Sequence, residues 1–351
     1  MKVGLIGFGA SGKSTLYRAA SRGMAKGDVT AVPVPDPRFD AIVAQVKPKK
    51  VTPATVVLHD DLESAAGGSK TFSQRFLDEA RKMELLLHVV RGFESPTSPY
   101  HAEIDPVRDE EAISVEIVLA DLQIVENRLE RLAKSLTAKN PGSPDYMEKQ
   151  AFERIKGPLE DGIPIRAMEL TEDEETICRN YQFLSAKPMV VAFNLSEDDA
   201  ANPPSRIQTR IAELAAKATP AFCVSAPIEE EIAQLDPADQ PEFLASLGLT
   251  EPAGAKVIRA VYDALGLITF FTAGENETRA WPLRKGSNAV KAAGTIHTDI
   301  AKGFIRAEVV HFADYEAFGS LDKAYSGGKM SLEGKEYVVQ DGDLLHIRNK
   351  S

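Results

Sequence analysis

The chain has 351 residues, 43% of them apolar and 26% charged, which gives room for two or three domains with true cores and excludes a disordered or collagen-like polymer. A net charge of −11 repels phosphate backbones over most of the surface, so bulk nucleic-acid binding is excluded and no DNA contact is expected. Cys178 and Cys223 are too few and too far apart for a disulfide framework, no apolar run reaches bilayer length, and the opening shows no secretion signal, so a cytoplasmic location without membrane contact is expected.

Lys2-Val3-Gly4-Leu5-Ile6 reads as a buried parallel strand. It leads into Gly7-Phe8-Gly9-Ala10-Ser11-Gly12-Lys13-Ser14-Thr15, and Leu16 to Ala20 continues as a helix. Gly, four residues, Gly-Lys-Ser between a strand and a helix is the pattern of a phosphate-binding loop. The glycines let successive N–H groups converge on one oxygen cluster, and the helix N-terminus adds positive field. Gly9, Ala10, Ser11, Gly12, Lys13, Ser14 and Thr15 are therefore candidate nucleotide-binding residues. Lys13 is the candidate catalytic cation for the outer phosphates, and Ser14 is a candidate Mg²⁺ ligand.

Thr55 to Leu58 and Leu85 to Val90 read as further buried strands, with a helix from Phe76 to Lys82 between them. Buried runs alternating with helices predict an α/β fold, a mostly parallel sheet covered on both faces. Val115, Val118, Leu122, Val125, Leu129, Leu132 and Leu136 then alternate three and four residues apart, which predicts a heptad seam on one long helix. Asn140-Pro141-Gly142-Ser143-Pro144 breaks it, and Phe152, Ile155 and Leu159 resume the spacing. This predicts an antiparallel helical hairpin inserted into the sheet domain.

The sheet pattern returns at Pro188 to Asn194 and at Ala221 to Ser225, with helices at Ile207 to Ala218 and Val257 to Leu265. Past Gly266 the texture changes to short strands at Ile268–Thr272, Phe304–Val310, Tyr337–Gln340 and Leu344–Arg348, a compact α+β module. The expected organisation is a nucleotide-binding α/β domain at 1–110 and 180–267, an inserted hairpin at 111–179 and a C-terminal module at 268–351. That module carries 11 basic and 11 acidic residues, so the acidic excess lies before it and a local RNA contact is compatible with its charge.

Guanine readers among such proteins use Asn-Lys-x-Asp after a late strand. Here Asn194-Leu195-Ser196-Glu197 stands at that place. Leu195 is expected to cover a ring, and Glu197 replaces the carboxylate that pairs with guanine. Ser225-Ala226 follows the next strand, where a small residue meets the base.

Taken with Val32-Pro33-Val34-Pro35-Asp36, Val46-Lys47-Pro48-Lys49-Lys50, His88-Val89-Val90-Arg91, Thr269-Phe270-Phe271-Thr272-Ala273-Gly274, Arg279-Ala280-Trp281 and Ala293-Gly294-Thr295-Ile296-His297-Thr298-Asp299, these motifs resemble the YchF family of Obg-like ATPases over nearly the whole chain. The resemblance implies a P-loop NTPase domain with a coiled-coil arm and a C-terminal β-grasp TGS domain. It also implies ATP preferred over GTP, Mg²⁺ as cofactor, and contact with ribosome or RNA through the TGS domain.

Three departures from that family bear on turnover. The first switch is shortened to Gly23–Asp28, with Thr30 the nearest threonine. The second switch reads Asp60-Asp61-Leu62-Glu63 in place of Asp-x-x-Gly, so Asp60 still supports Mg²⁺ but Glu63 sets a carboxylate against the γ-phosphate. The family's loop histidine has its counterpart in His101, a candidate for orienting the attacking water. Slow ATP hydrolysis is expected, with non-hydrolysing binding as the alternative.

Overall fold

The computed structural model describes residues 1–65, 72–236, 239–246 and 252–350. The glycine-rich run Gly67-Gly68-Ser69-Lys70, noted as the rest of the second switch, lies outside the described residues. Among those described there are twelve strands: β1 (Lys2–Ile6), β2 (Val29–Pro33), β3 (Val51–Thr52), β4 (Thr55–His59), β5 (Leu85–Gly92), β6 (Met189–Leu195), β7 (Ala221–Val224), β8 (Leu267–Thr272), β9 (Thr278–Arg284), β10 (Phe304–Val310), β11 (Ser331–Glu333) and β12 (Leu344–Asn349). Close contacts group the chain into two units, residues 1–30 with 57–257 and residues 31–56 with 258–351.

The first sheet has the order β2-β4-β1-β5-β6-β7. Its central pairings are parallel. Val3 stands between Leu58 and Leu85, Leu86 lies opposite Met189, and Val191 lies opposite Ala221. β5 and β6 are buried along almost their whole length, as their unbroken apolar runs predict for a sheet covered on both faces. On one face Ile6, Leu86, Val90 and Phe193 pack with Phe76, Ile113 and Ile207 from the covering helices. Helix Lys13–Ala20 packs beside helix Ala226–Gln234.

The predicted hairpin is present as helices Pro106–Lys134 and Pro144–Glu160. Each starts at a side-chain cap followed by proline, Asp105 accepting from Arg108 N and Ser143 from Tyr146 N. The first helix spans about 43 Å at 1.5 Å per residue. Val118 and Val125 pack with Phe152, Ile155 and Leu159, and Arg128 joins Glu148 and Asp145 across the pair. Two seam positions differ from expectation. Val115 is exposed because the root of this helix turns Ile113 and Ile117 toward the sheet domain instead. Leu136 is exposed because the helix has already ended at Lys134.

The second sheet has the order β11-β10-β12-β8-β9-β3. β8 and β9 form an antiparallel hairpin, β12 runs parallel to β8, and β10 lies antiparallel to β12. Helix Ala289–Ile296 covers one face through Ala289, Ala292 and Ala293, which gives the expected β-grasp arrangement. Tyr337–Gln340, expected as a strand, makes only an isolated bridge at Val338; its polar groups serve the Asp343 turn instead, with Tyr337 Oη and Gln340 N donating to Asp343. Residues 31–56 supply the other face. Phe39, Ile42 and Ala54 pack with Phe271, Val310 and Leu344, and β3 pairs with β9.

Candidate functional site

The loop after β1 is bent by three residues with positive φ, Gly7 at 150°, Ala10 at 58° and Gly12 at 91°. Gly12 caps helix Lys13–Ala20 without a side-chain hydrogen bond, so the amides of the first turn face outward as an anion receptor. A Cβ on Gly12 would lie 2.1 Å from Asn194 Nδ2. Glycine is required there by backbone angle and by space alike.

Asn194 lies near the end of a fully buried strand and joins two walls of the site. Its Nδ2 donates to Ser11 O at 3.1 Å, and its Oδ1 accepts from Ala226 N at 2.9 Å. The cleft above these residues has a volume of about 350 Å³. Ala10, Ser11, Gly12, Lys13, Ser14 and Thr15 form its floor, with Asn194 and Ala226 at one side.

Lys13 is buried, and its Nζ donates to Gly7 O and Phe8 O at 3.0 Å and to Ser64 Oγ at 2.9 Å. Burial lowers its pKa to about 8, partly offset by Asp60. Burial also raises the Asp60 carboxyl, and a hydrogen bond from Ser14 works against that rise. A serine hydroxyl beside one carboxylate is a hard-oxygen donor pair that suits Mg²⁺ completed by phosphate oxygens and water.

The remaining expected residues lie elsewhere. Gly9 is exposed and off the cleft wall. Leu195 is a core residue packed against Gly92, so it does not cover a ring. Glu197 is exposed at the start of the next short helix, and Ser225 is buried as the residue capping helix Ala226–Gln234. His101 is sandwiched between Phe8 and Tyr100 at ring distances of 4.4 and 4.2 Å, with Nε2 3.8 Å from Asp109. Glu63 turns away from the cleft to accept from Ser73 Oγ at 2.5 Å. Thr30 Oγ1 lies 2.8 Å from the Tyr17 hydroxyl.

Sequence reasoning missed the far wall, formed by Phe93, Ser95, Ser98 and Pro227, and missed Ser64. It also gave Arg91 no part in the site. This buried guanidinium donates to Ala10 O, Phe93 O and Ser98 O at 2.9–3.0 Å and so ties the far wall to the phosphate loop. A charged residue inside the apolar run of β5 was the available signal.

The chain is similar to known proteins over nearly its whole length. Residues 267–350 match the family model YchF-GTPase_C, described as a protein of unknown function (DUF933). The chain is 40% identical to the ribosome-binding ATPase YchF of Haemophilus influenzae, over 99% of this chain and 98% of that one. It is 37% identical to the protein of the same name from Bacillus subtilis, over 99% of both. The solved structure of the Schizosaccharomyces pombe YchF GTPase superposes with a TM-score of 0.88 at 30% identity, covering 99% of this chain and 97% of that one.

Proposed function

This chain belongs to the YchF family, and from that premise we propose that it binds ATP with Mg²⁺ on the Ala10–Thr15 loop, hydrolyses it slowly, and acts in association with the ribosome. The observation that carries the proposal is the Lys13 cradle, flanked by Asn194 and open to a cleft of nucleotide-binding size. Adenine is preferred because Glu197, which stands where a guanine reader has its carboxylate, is exposed at the start of the next short helix and does not line the cleft. The two bacterial relatives are called ATPases and the solved relative a GTPase, so the base preference is a point for measurement.

Loop amides and the first helical turn would hold the β-phosphate, while Lys13 would exchange its contact with Ser64 for the outer phosphate. Ser14 and Asp60 would hold Mg²⁺, which when bound supplies neutralisation of charge on the phosphate oxygens. The ribosome contact is assigned to the C-terminal unit, where Arg284, Lys285 and Lys291 are exposed and have no ion-pair partner among the described residues. Association with ribosomes would place the protein in the cytoplasm; no described helix is long and apolar enough to cross a membrane.

Binding without turnover is the second reading. It is favoured by the tethering of the short first switch, where Asp28 O accepts from Asp60 N and Thr30 meets Tyr17. Calorimetric titration with a non-hydrolysable ATP analogue and with a GTP analogue, beside a Lys13→Ala control, tests the site. Phosphate release separates the two readings. Failure of the wild-type protein to bind either analogue would end the proposal.

A further inference from the structure

We propose that Ser64 is a terminal-phosphate contact, the residue by which this chain distinguishes a nucleoside triphosphate from a diphosphate. The inference rests on the nucleotide-binding reading above. Lys13 spends its three N–H groups on Gly7 O, Phe8 O and Ser64 Oγ. Two of these acceptors are backbone atoms of the loop itself. The third is a side chain from a different segment, so it is the one that can yield to a ligand.

Ser64 Oγ accepts from Lys13 and keeps its own O–H, for which no protein acceptor is found among the described residues. Its neighbours leave the cleft to it. Leu62 is buried, and Glu63 is held by Ser73 and Arg75. Ala65 is fastened to the phosphate loop, its N–H donating to Gly7 O at 3.0 Å. Ser64 is thus the one described side chain of residues 60–65 on the cleft wall. It stands at the end where the lysine head defines the outer-phosphate position.

A third phosphate there takes the Lys13 N–H that Ser64 now accepts, and receives the Ser64 O–H in return. A diphosphate ends short of Ser64, and the Lys13–Ser64 bond persists.

The test is calorimetric titration of the full chain with a non-hydrolysable ATP analogue and with ADP, for wild type, Ser64→Ala and Ser64→Thr. Ser64→Ala is expected to weaken the ATP analogue about tenfold, the scale of a hydrogen bond to a charged group, and to change ADP less than about twofold on the same reasoning. Ser64→Thr, which keeps the hydroxyl, is expected to restore the preference. Equal changes for both ligands, or no change, would make Ser64 a structural latch and overturn the proposal. Wild-type protein that binds neither ligand would remove this inference together with the nucleotide-binding reading.

Discussion

Asn194 is a base-reader by position in the sequence and a structural bridge in the fold. Replacing it with alanine leaves Ser11 O and Ala226 N without their partner, at a cost of about 2–3 kcal/mol. Urea denaturation should show that loss, and nucleotide affinity should fall with it; a variant as stable as wild type would remove the bridging role. Lys13 gives a pH signature. Its folded pKa of about 8 means the free site loses its cation as pH rises past that value, whereas bound phosphate favours the charged form. ATP affinity should therefore be highest below pH 8 and fall by up to about tenfold per pH unit above it. Affinity that stays flat from about pH 7 to 9.5 would show that Lys13 carries no charge to the phosphates. The phosphate loop was legible because its glycines and lysine are local requirements of backbone angle and charge. Ser64, Phe93 and Arg91 were not, because their roles depend on which loops meet across the end of the sheet, and spacing along the chain carries no record of that.

β5 was legible as a buried strand, but its histidine has a consequence of its own. His88 is fully buried, and desolvation lowers its pKa to about 3, against about 6.5 in an unfolded chain. The unfolded state takes up the proton first as pH falls, so the stability contributed by this group is complete above about pH 6.5 and declines toward about pH 3. Between pH 7 and 5 the loss from this group is about 2 kcal/mol. His88→Leu should show a smaller drop in urea midpoint over that interval; an unchanged drop would exclude His88 as its source. The hairpin was equally legible in its periodicity, and less so in its partners. The long helix serves two neighbours in succession, the sheet domain through Ile113 and Ile117, which lie off the heptad seam, and the second helix through the seam residues Val118 and Val125. Val125→Ala should cost about 2 kcal/mol and Val115→Ala less than about 0.5. Equal costs in thermal denaturation would contradict the assignment of faces.

At the scale of the whole molecule, the proposed ribosome contact should respond to salt. Charge reversal at Arg284, Lys285 and Lys291 should weaken cosedimentation with ribosomes and flatten its dependence on salt by about two to three in log–log slope. Unchanged sedimentation would move the contact away from the C-terminal unit. Point variants suit this test better than removal of residues 268–351, which would strip Phe39, Ile42 and Ala54 of the side chains they pack against. The extent of that dependence was hidden in the sequence, where residues 31–56 look like a continuation of the nucleotide-binding pattern around them.

The interleaving of residues 31–56 with residues 258–351 also sets a timetable. A ribosome making this protein releases the early segment long before its partner exists, with about 200 residues still to be added between them. At roughly 5–20 residues per second, Phe39 and Ile42 would wait about 15–60 s for the last of their covering residues, Leu344. During that interval the nascent chain carries an apolar surface that a chaperone could hold, and late-stage synthesis, rather than local sequence, decides when the C-terminal unit closes.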